Sequence, residues 1–367
     1  MNAFDFPSYV DNRELATQFK ECKLTCIPLG GHKGPVTGVA ISDDSANVFS
    51  CSKDNSLVQW DVESSSKRYL VKPWVPNNET GRHSHETELL AVAVSNDSKY
   101  VVAGGRDKKI RVFDPRMNSV AKTLEGHRGA VTALSFRKGT NTLFSASEDR
   151  CLKQWDLNSM CYLDTLFGHQ VFITTLFDPL ALRFLTLSQE PINAIDCWLK
   201  EQPVSGSDDR TARLYKVAQD SHLVFRGHKS PVDTVQILTD DSFVTGGQDG
   251  CIFLWREASK RPTASATQAH GRNGSSPRWI TSLAALKMSD LAISGSHDGY
   301  VRLWQANSTT SILSEVASIP VDGFVNSIAV TDKCFAIGTG SEHRLGRWWK
   351  LKGNKNKVQI YKTDYVE

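Results

Sequence analysis

Seven times along this chain an acidic residue is followed six positions later by an aromatic one. The acids are Asp54, Asp107, Asp149, Asp209, Asp249, Asp298 and Glu342, and their partners are Trp60, Phe113, Trp155, Tyr215, Trp255, Trp304 and Trp348. Short alternating runs lead up to the aromatic, as in LVQW (57–60), IRVF (110–113), LKQW (152–155) and VRLW (301–304). Alternation at a period of two predicts strands with one buried face. A second run stands upstream of each turn, as in VTGVAIS (36–42), LLAVAVS (89–95), VTALSF (131–136) and ITSLAAL (280–286). Ahead of several of these comes a histidine: His32, His85, His127, His169, His228 or His270. The acids recur mostly at intervals near ~40–45 residues, so one supersecondary unit is used again and again. Such a unit buries its faces only by stacking against its neighbours.

This set of offsets resembles the WD-repeat family over residues 24–363. The resemblance implies an all-β chain, a seven-bladed WD-repeat β-propeller in which each repeat is one four-stranded blade and ring closure removes most sheet edges. Residues 1–23 are then an N-terminal segment with little order, and 364–367 a short tail. LTCIPL (24–29) and VQIYK (358–362) compete for the outer edge of the last blade, and family habit favours the N-terminal strand.

Composition narrows the class. Hydrophobic residues make up 40% and charged residues 23%, enough to bury a core. No run approaches the ~18 consecutive apolar residues of a membrane span. The first twenty residues lack a basic region followed by an apolar run, so no secretory signal is expected. Cysteines fall at 22, 26, 51, 151, 161, 197, 251 and 334 with no CxxC spacing and no histidine cluster, which predicts neither zinc nor a disulfide framework, in a reducing compartment. The formal net charge of +3 is too small to argue for nucleic acid by itself, so the placement of charge matters.

Four residues before each acid stand Ser50, Ala103, Ser145, Ser205, Thr245, Ser294 and Gly338. Repeats one, three and five thus offer complete sets: His32, Ser50, Asp54, Trp60; His127, Ser145, Asp149, Trp155; His228, Thr245, Asp249, Trp255. A hydrolase needs one such constellation with an oxyanion hole beside it. Three sets at fixed offsets instead resemble the hydrogen-bond network by which WD repeats tie strands within a blade. Repeats two (Ala103, Phe113) and seven (Gly338, Glu342, no upstream histidine) lack it and are expected to be less rigid. No phosphate-binding glycine loop, metal-ligand cluster or isolated nucleophile is present, so no enzyme, cofactor, metal or small-molecule substrate is expected.

The fourth repeat breaks the spacing. Histidine and acid lie 22 residues apart in repeats one, two and three, 21 in repeat five, but 40 in repeat four. Removing VFITTLFDPLALRFLTLSQ (171–189) restores 21 and puts Ile192 where Val36 and Val131 stand in their repeats. The segment begins with Val, whose codons start GT, and ends with Gln, which CAG encodes. It reads either as a translated, retained intron or as an insertion between blades three and four, and transcript sequencing across the junction separates the two.

Five stretches go beyond a generic repeat: GSEHRLGRWWKLK (340–352), QAHGRNGSSPRWITSLAAL (268–286), SKDNSLVQWDVESSSKR (52–68), TLFGHQ (165–170) and LVFRGHKS (223–230). Together they resemble the family of WD-repeat proteins that interact with the U3 small nucleolar RNA. That resemblance implies a non-catalytic nucleolar component of the U3 ribonucleoprotein and the small-subunit processome, acting in pre-rRNA processing. The implied partners are the box B/C region of U3, a kink-turn-binding protein and other processome proteins, with no membrane. The family's long charged N-terminal extension with import signals would be missing here, since about two dozen residues precede the first expected strand.

Turn residues beside the acids share a face of the disc with the histidine loops. On that face Lys53, Arg106, Lys108, Arg150, Arg210, His343 and Arg344 come from blades one to four and seven, which are contiguous in a closed ring; Arg347 extends the series. Blades five and six supply Gln248, Gly250, His297 and Gly299 instead. A one-sided basic arc suits phosphate binding, although Glu148 and Asp208 dilute it. The competing reading is a protein-only adaptor, such as a ligase substrate receptor or chromatin reader. It would favour an aromatic-lined funnel over a basic arc.

Overall fold

Each repeat folds into an antiparallel sheet because its alternating runs hide one face and its acidic turns reverse the chain. The computed structural model describes residues 23–72, 88–169, 190–274, 276–308, 310–346, 350–351 and 356–364. They form seven four-stranded sheets and one two-stranded hairpin. The innermost strand of each sheet touches those of the sheets on either side, and the first sheet touches the last. The chain is therefore a seven-bladed β-propeller.

Blade three shows the plan, running outward as Val131–Phe136, Thr142–Ser147, Leu152–Asp156 and Cys161–Leu166. Its second and third strands are largely buried, while Cys161 to Asp164 on the outer strand face solvent. The core lies between blades. Ala91 and Val102 of blade two pack with Val131, Leu134 and Trp155 of blade three. Close approach needs glycine there: a Cβ on Gly104 would meet Val131 Cγ1 at 2.6 Å. Gly338 against Val36 repeats the contact across the ring closure, at 2.7 Å.

Lys23–Leu29 and Lys357–Asp364 both lie in the last blade, paired over seven positions from Lys23↔Asp364 to Leu29↔Val358. The two candidates for closure are neighbours, with the N-terminal strand outermost. Leu29 packs with Val36, Val39, Val58, Val358 and Ile360, so the seam joins blades one and seven in one apolar cluster.

Segment 171–189 lies outside the described residues. Beyond it the register is that of the other blades: Ile192 faces Ser207 as Val36 faces Ser52 and Val131 faces Ser147. In blade six a small hairpin, Arg272–Asn273 with Ser276–Pro277, lengthens the path from His270 to Asp298 to 28 residues.

Candidate nucleic-acid interface

The acidic turn has the same backbone conformation in six blades. In blades one to five the residue after the acid donates its N–H to a carbonyl three residues back, as Arg150 does to Ser147 at 3.2 Å and Arg210 to Ser207 at 3.2 Å. That residue takes a left-handed conformation: Asn55, Lys108, Arg150, Arg210, Gly250 and Gly299 have φ between 64° and 86°. Glycine adopts this region freely, whereas a residue with a Cβ gives up about 1 kcal/mol or more.

Behind each turn sits the histidine network. In blade three His127 Nδ1 lies 2.9 Å from Asp149 Oδ2, His127 Nε2 lies 2.7 Å from Ser145 Oγ, and Trp155 Nε1 donates to Ser145 Oγ at 2.9 Å. An ionised carboxylate only accepts, so Nδ1–H donates to Asp149, Ser145 donates to Nε2, and the tryptophan N–H fills the remaining side of the hydroxyl. Blade five repeats this with Thr245 at 2.7 Å from His228 and Trp255 donating at 2.9 Å. In blade one Ser56 is interposed, 2.6 Å from His32 Nδ1 and donating to Asp54, while Ser50 keeps its bonds to His32 and Trp60 at 2.7 Å.

The bond order matches that of a hydrolase triad, but Ser50, Ser145 and Thr245 are wholly buried, with a tryptophan on the oxygen a substrate would need. Burial alone would raise the Asp149 carboxyl. Hydrogen bonding and charge from His127, with the amides of Arg128 and Cys151, outweigh it and hold the group down to about 2.

Two further blades carry the network. Blade six has all four members: His270 is 2.9 Å from Asp298 and 2.7 Å from Ser294, and Trp304 donates to Ser294 at 2.8 Å. Its offset is masked in the sequence by the inserted hairpin. Blade four has His169 at 2.7 Å from both Asp209 and Ser205, with Tyr215 in the tryptophan position. In blade two the acid, Asp107, is instead paired with Arg111, and Ala103 and Phe113 are buried without polar groups to satisfy.

The basic candidates separate by environment. Lys108 and Arg210 are exposed and Arg150 is half-buried. Arg106 is exposed, with Nε donating to Glu88 at 2.7 Å and Nη2 to the Leu345 carbonyl at 3.3 Å. Lys53 points inward: its side chain is 4% exposed, and Nζ donates to Glu342 and to the carbonyls of His343 and Gly346 at 3.1, 2.7 and 2.8 Å. Arg344 lines the central channel beside the innermost strands of the blades, where Nη2 donates to the carbonyls of Asn193 at 2.9 Å and Asp233 at 3.1 Å. His343 is buried, edge-on to Trp279 with ring centroids 6.2 Å apart. Burial, helped by the charges of Arg344 and Lys53, pushes it down to about 3, so it brings no positive charge at neutral pH. The turn 342–346 thus closes over one mouth of the channel, held by blades one, two, four and five. Of the seven described arc residues, three are spent on that closure: Lys53 and Arg344 face carbonyls and a carboxylate, and His343 is buried with its Nδ1 accepting from the Leu345 N–H at 3.3 Å. Arg347 lies outside the described residues.

The sequence profile of the WD domain, G-beta repeat family matches residues 21–61, 78–114, 118–156, 220–256 and 266–305. The chain belongs to the WD40 family. Among relatives of this WD40 protein, the U3 small nucleolar RNA-interacting protein 2 of Homo sapiens is 35% identical over 338 residues, 90% of this chain and 67% of the human one. The U3 snoRNP-associated protein-like EMB2271 of Arabidopsis thaliana is 33% identical over 350 residues, 90% and 69% of the two chains. A solved structure described as "Crystal structure of RRP9 WD40 repeats" superposes with a TM-score of 0.81 at 34% identity, covering 92% of this chain and 97% of that one.

On the face with the acidic turns, this WD40 propeller has a groove of about 1060 Å³ between blades two, three and four. Arg106, Lys108 and Arg150 line it, and so do Arg128, Lys153 and Phe167, which do not stand beside a turn acid. Asp149 also lines it but is engaged by His127 and the Arg128 amide. Lys153 Nζ donates to Thr165 at 2.8 Å and lies 4.8 Å from the centre of the Tyr162 ring. Among the described residues, no group of three or more His, Cys, Asp or Glu side chains is arranged to hold a metal ion.

Proposed function

We propose that this WD40 protein is a non-catalytic RNA- and protein-binding scaffold of the U3 small nucleolar ribonucleoprotein. In this reading it acts in pre-rRNA processing and small-subunit (18S) biogenesis in the nucleolus. Its partners are the box B/C region of U3, a kink-turn-binding protein and other processome proteins. Likeness over 90% of the chain to relatives named for U3 supports the particle.

The observation that carries the RNA contact is the placement of Lys108, Arg150 and Arg210. These three cations occupy the left-handed position of consecutive blades, where blades five and six use glycine. Strain kept at a surface turn points to use of the side chain there. Folded RNA is read mainly through phosphates and 2′-hydroxyls, so cations at loop tips suffice without a base-reading motif.

Cross-linking the tagged protein to RNA in cells and sequencing the product tests the particle; enrichment of U3 at box B/C is expected. Recovery of proteins without a specific RNA would replace the reading with a protein-only adaptor. In vitro, Arg150→Glu with Arg210→Glu should weaken binding of a U3 fragment and lower the slope of log affinity against log salt by roughly one per lost phosphate contact. An unchanged affinity moves the site off these turns.

A further inference from the structure

Phe167 is 71% exposed, which forfeits most of what an aromatic side chain gains by burial. It stands two residues before His169. The same register position is Gly30 in blade one, Glu125 in blade three, Arg226 in blade five and Gln268 in blade six, all exposed. Each of these five described positions lies in solvent, and among them only Phe167 is aromatic. The ring also lines the groove that holds Lys108, Arg128 and Arg150, along with Glu148 and the engaged Asp149, and no ion pair joins those three cations to a described residue.

We propose that this groove takes an unpaired RNA nucleotide, its base stacked on Phe167 and its flanking phosphates on Lys108, Arg128 and Arg150. The inference rests on the RNA-scaffold reading and gives it a second kind of contact. Bases inside a duplex are already stacked on one another and offer no free face, so an exposed ring between cations is of use only to a nucleotide outside the helix. An apolar protein anchor would call for apolar walls around the ring, whereas three cations with no ion-pair partner among the described residues favour a polyanion. Stacking on an aromatic side chain tolerates any base, so the groove selects for an unpaired strand and not for a sequence.

The test uses the full chain and two probes: a blunt RNA hairpin, and the same hairpin with a short unpaired tail containing 2-aminopurine. The tail should tighten binding roughly tenfold and quench the 2-aminopurine fluorescence. Phe167→Ala should abolish both effects, and Phe167→Tyr should keep both. The variants alter an exposed side chain, and matched thermal melts would confirm intact folding. If Phe167→Ala binds and quenches like the parent, or if the parent does not distinguish the probes, the inference is overturned while RNA binding stands. Should Phe167→Ala change only the recovery of a protein partner, the groove is a protein site and the inference is likewise overturned. Failure of the parent to bind either probe removes the RNA-scaffold reading itself.

Discussion

In blade three the acid of the turn is satisfied inside its own sheet, where Asp149 is bound by His127 and the Arg128 amide and the chain of bonds ends on Trp155. In blade seven the corresponding acid, Glu342, takes its hydrogen bond from Lys53 of blade one and an ion pair from Lys350 at 3.2 Å. Its neighbour Arg344 reaches the carbonyls of blades four and five across the channel. The outer strand of blade three follows directly in sequence, whereas that of blade seven comes from the other end of the chain. One blade is stabilised locally and the other by the closure of the ring. Buried polar atoms must be paired in either case, and the distance in sequence to the partner decides which perturbations the blade will feel.

The largest effect should come from removing residues 1–29. This uncovers Lys357–Asp364 along its length and strips Leu29 from the seam. Urea unfolding should report a loss of about 5 kcal/mol or more, or no cooperative transition at all. Unfolding at the parent midpoint would show that ring closure does not hold blade seven.

A double-mutant cycle sharpens the contrast. Ser145→Ala leaves His127 Nε2 and Trp155 Nε1 buried without a partner, costing about 2–3 kcal/mol. Lys53→Met removes three hydrogen bonds donated to blade seven, at a cost of about 3 kcal/mol. Additive costs are expected, because the two sites share no partner. A coupling well above about 0.5 kcal/mol would mean that the local network and the closure are one system.

The smallest effect is a pH dependence. Asp149 is held down to about 2 in the folded protein, below the ~3.9 of an unfolded chain. Its contribution is therefore complete above about pH 4 and is lost as pH falls toward about 2. Asp149→Asn should be less stable than the parent at pH 7, with the gap in denaturant midpoint closing across that window. A gap that stays constant down to pH 2 would show that the carboxylate's charge is not what the network uses.

Much of the fold was legible because it depends on short-range pattern. Alternation placed the strands, and the six-residue interval from acid to aromatic located the hairpin after the acid in blades one to six; in blade seven Trp348 lies outside the described residues and the next strand is Lys357–Asp364. The network was legible in blades one, three and five, where histidine and acid keep their usual interval. It was hidden in blade four by the segment after His169 and in blade six by the hairpin at Arg272–Asn273. The basic arc was legible as a list of residues but not as a surface. Lys53 precedes its acid and Arg150 follows its own, and the sequence does not say that the first meets carbonyls of another blade while the second lines an open groove.

The sequence by itself determined the repeat, the number of blades and the turn where each acid sits. These follow from side-chain periodicity and backbone preferences that act within a few residues. Only the tertiary structure decided which terminal strand lies outermost, that Glu342 and Arg344 close over the channel, and that Phe167 shares a groove with Lys108, Arg128 and Arg150. The physical reason is the closure of the ring. It brings together residues as far apart as Lys53 and Gly346, and contacts over such separations leave no mark on local periodicity.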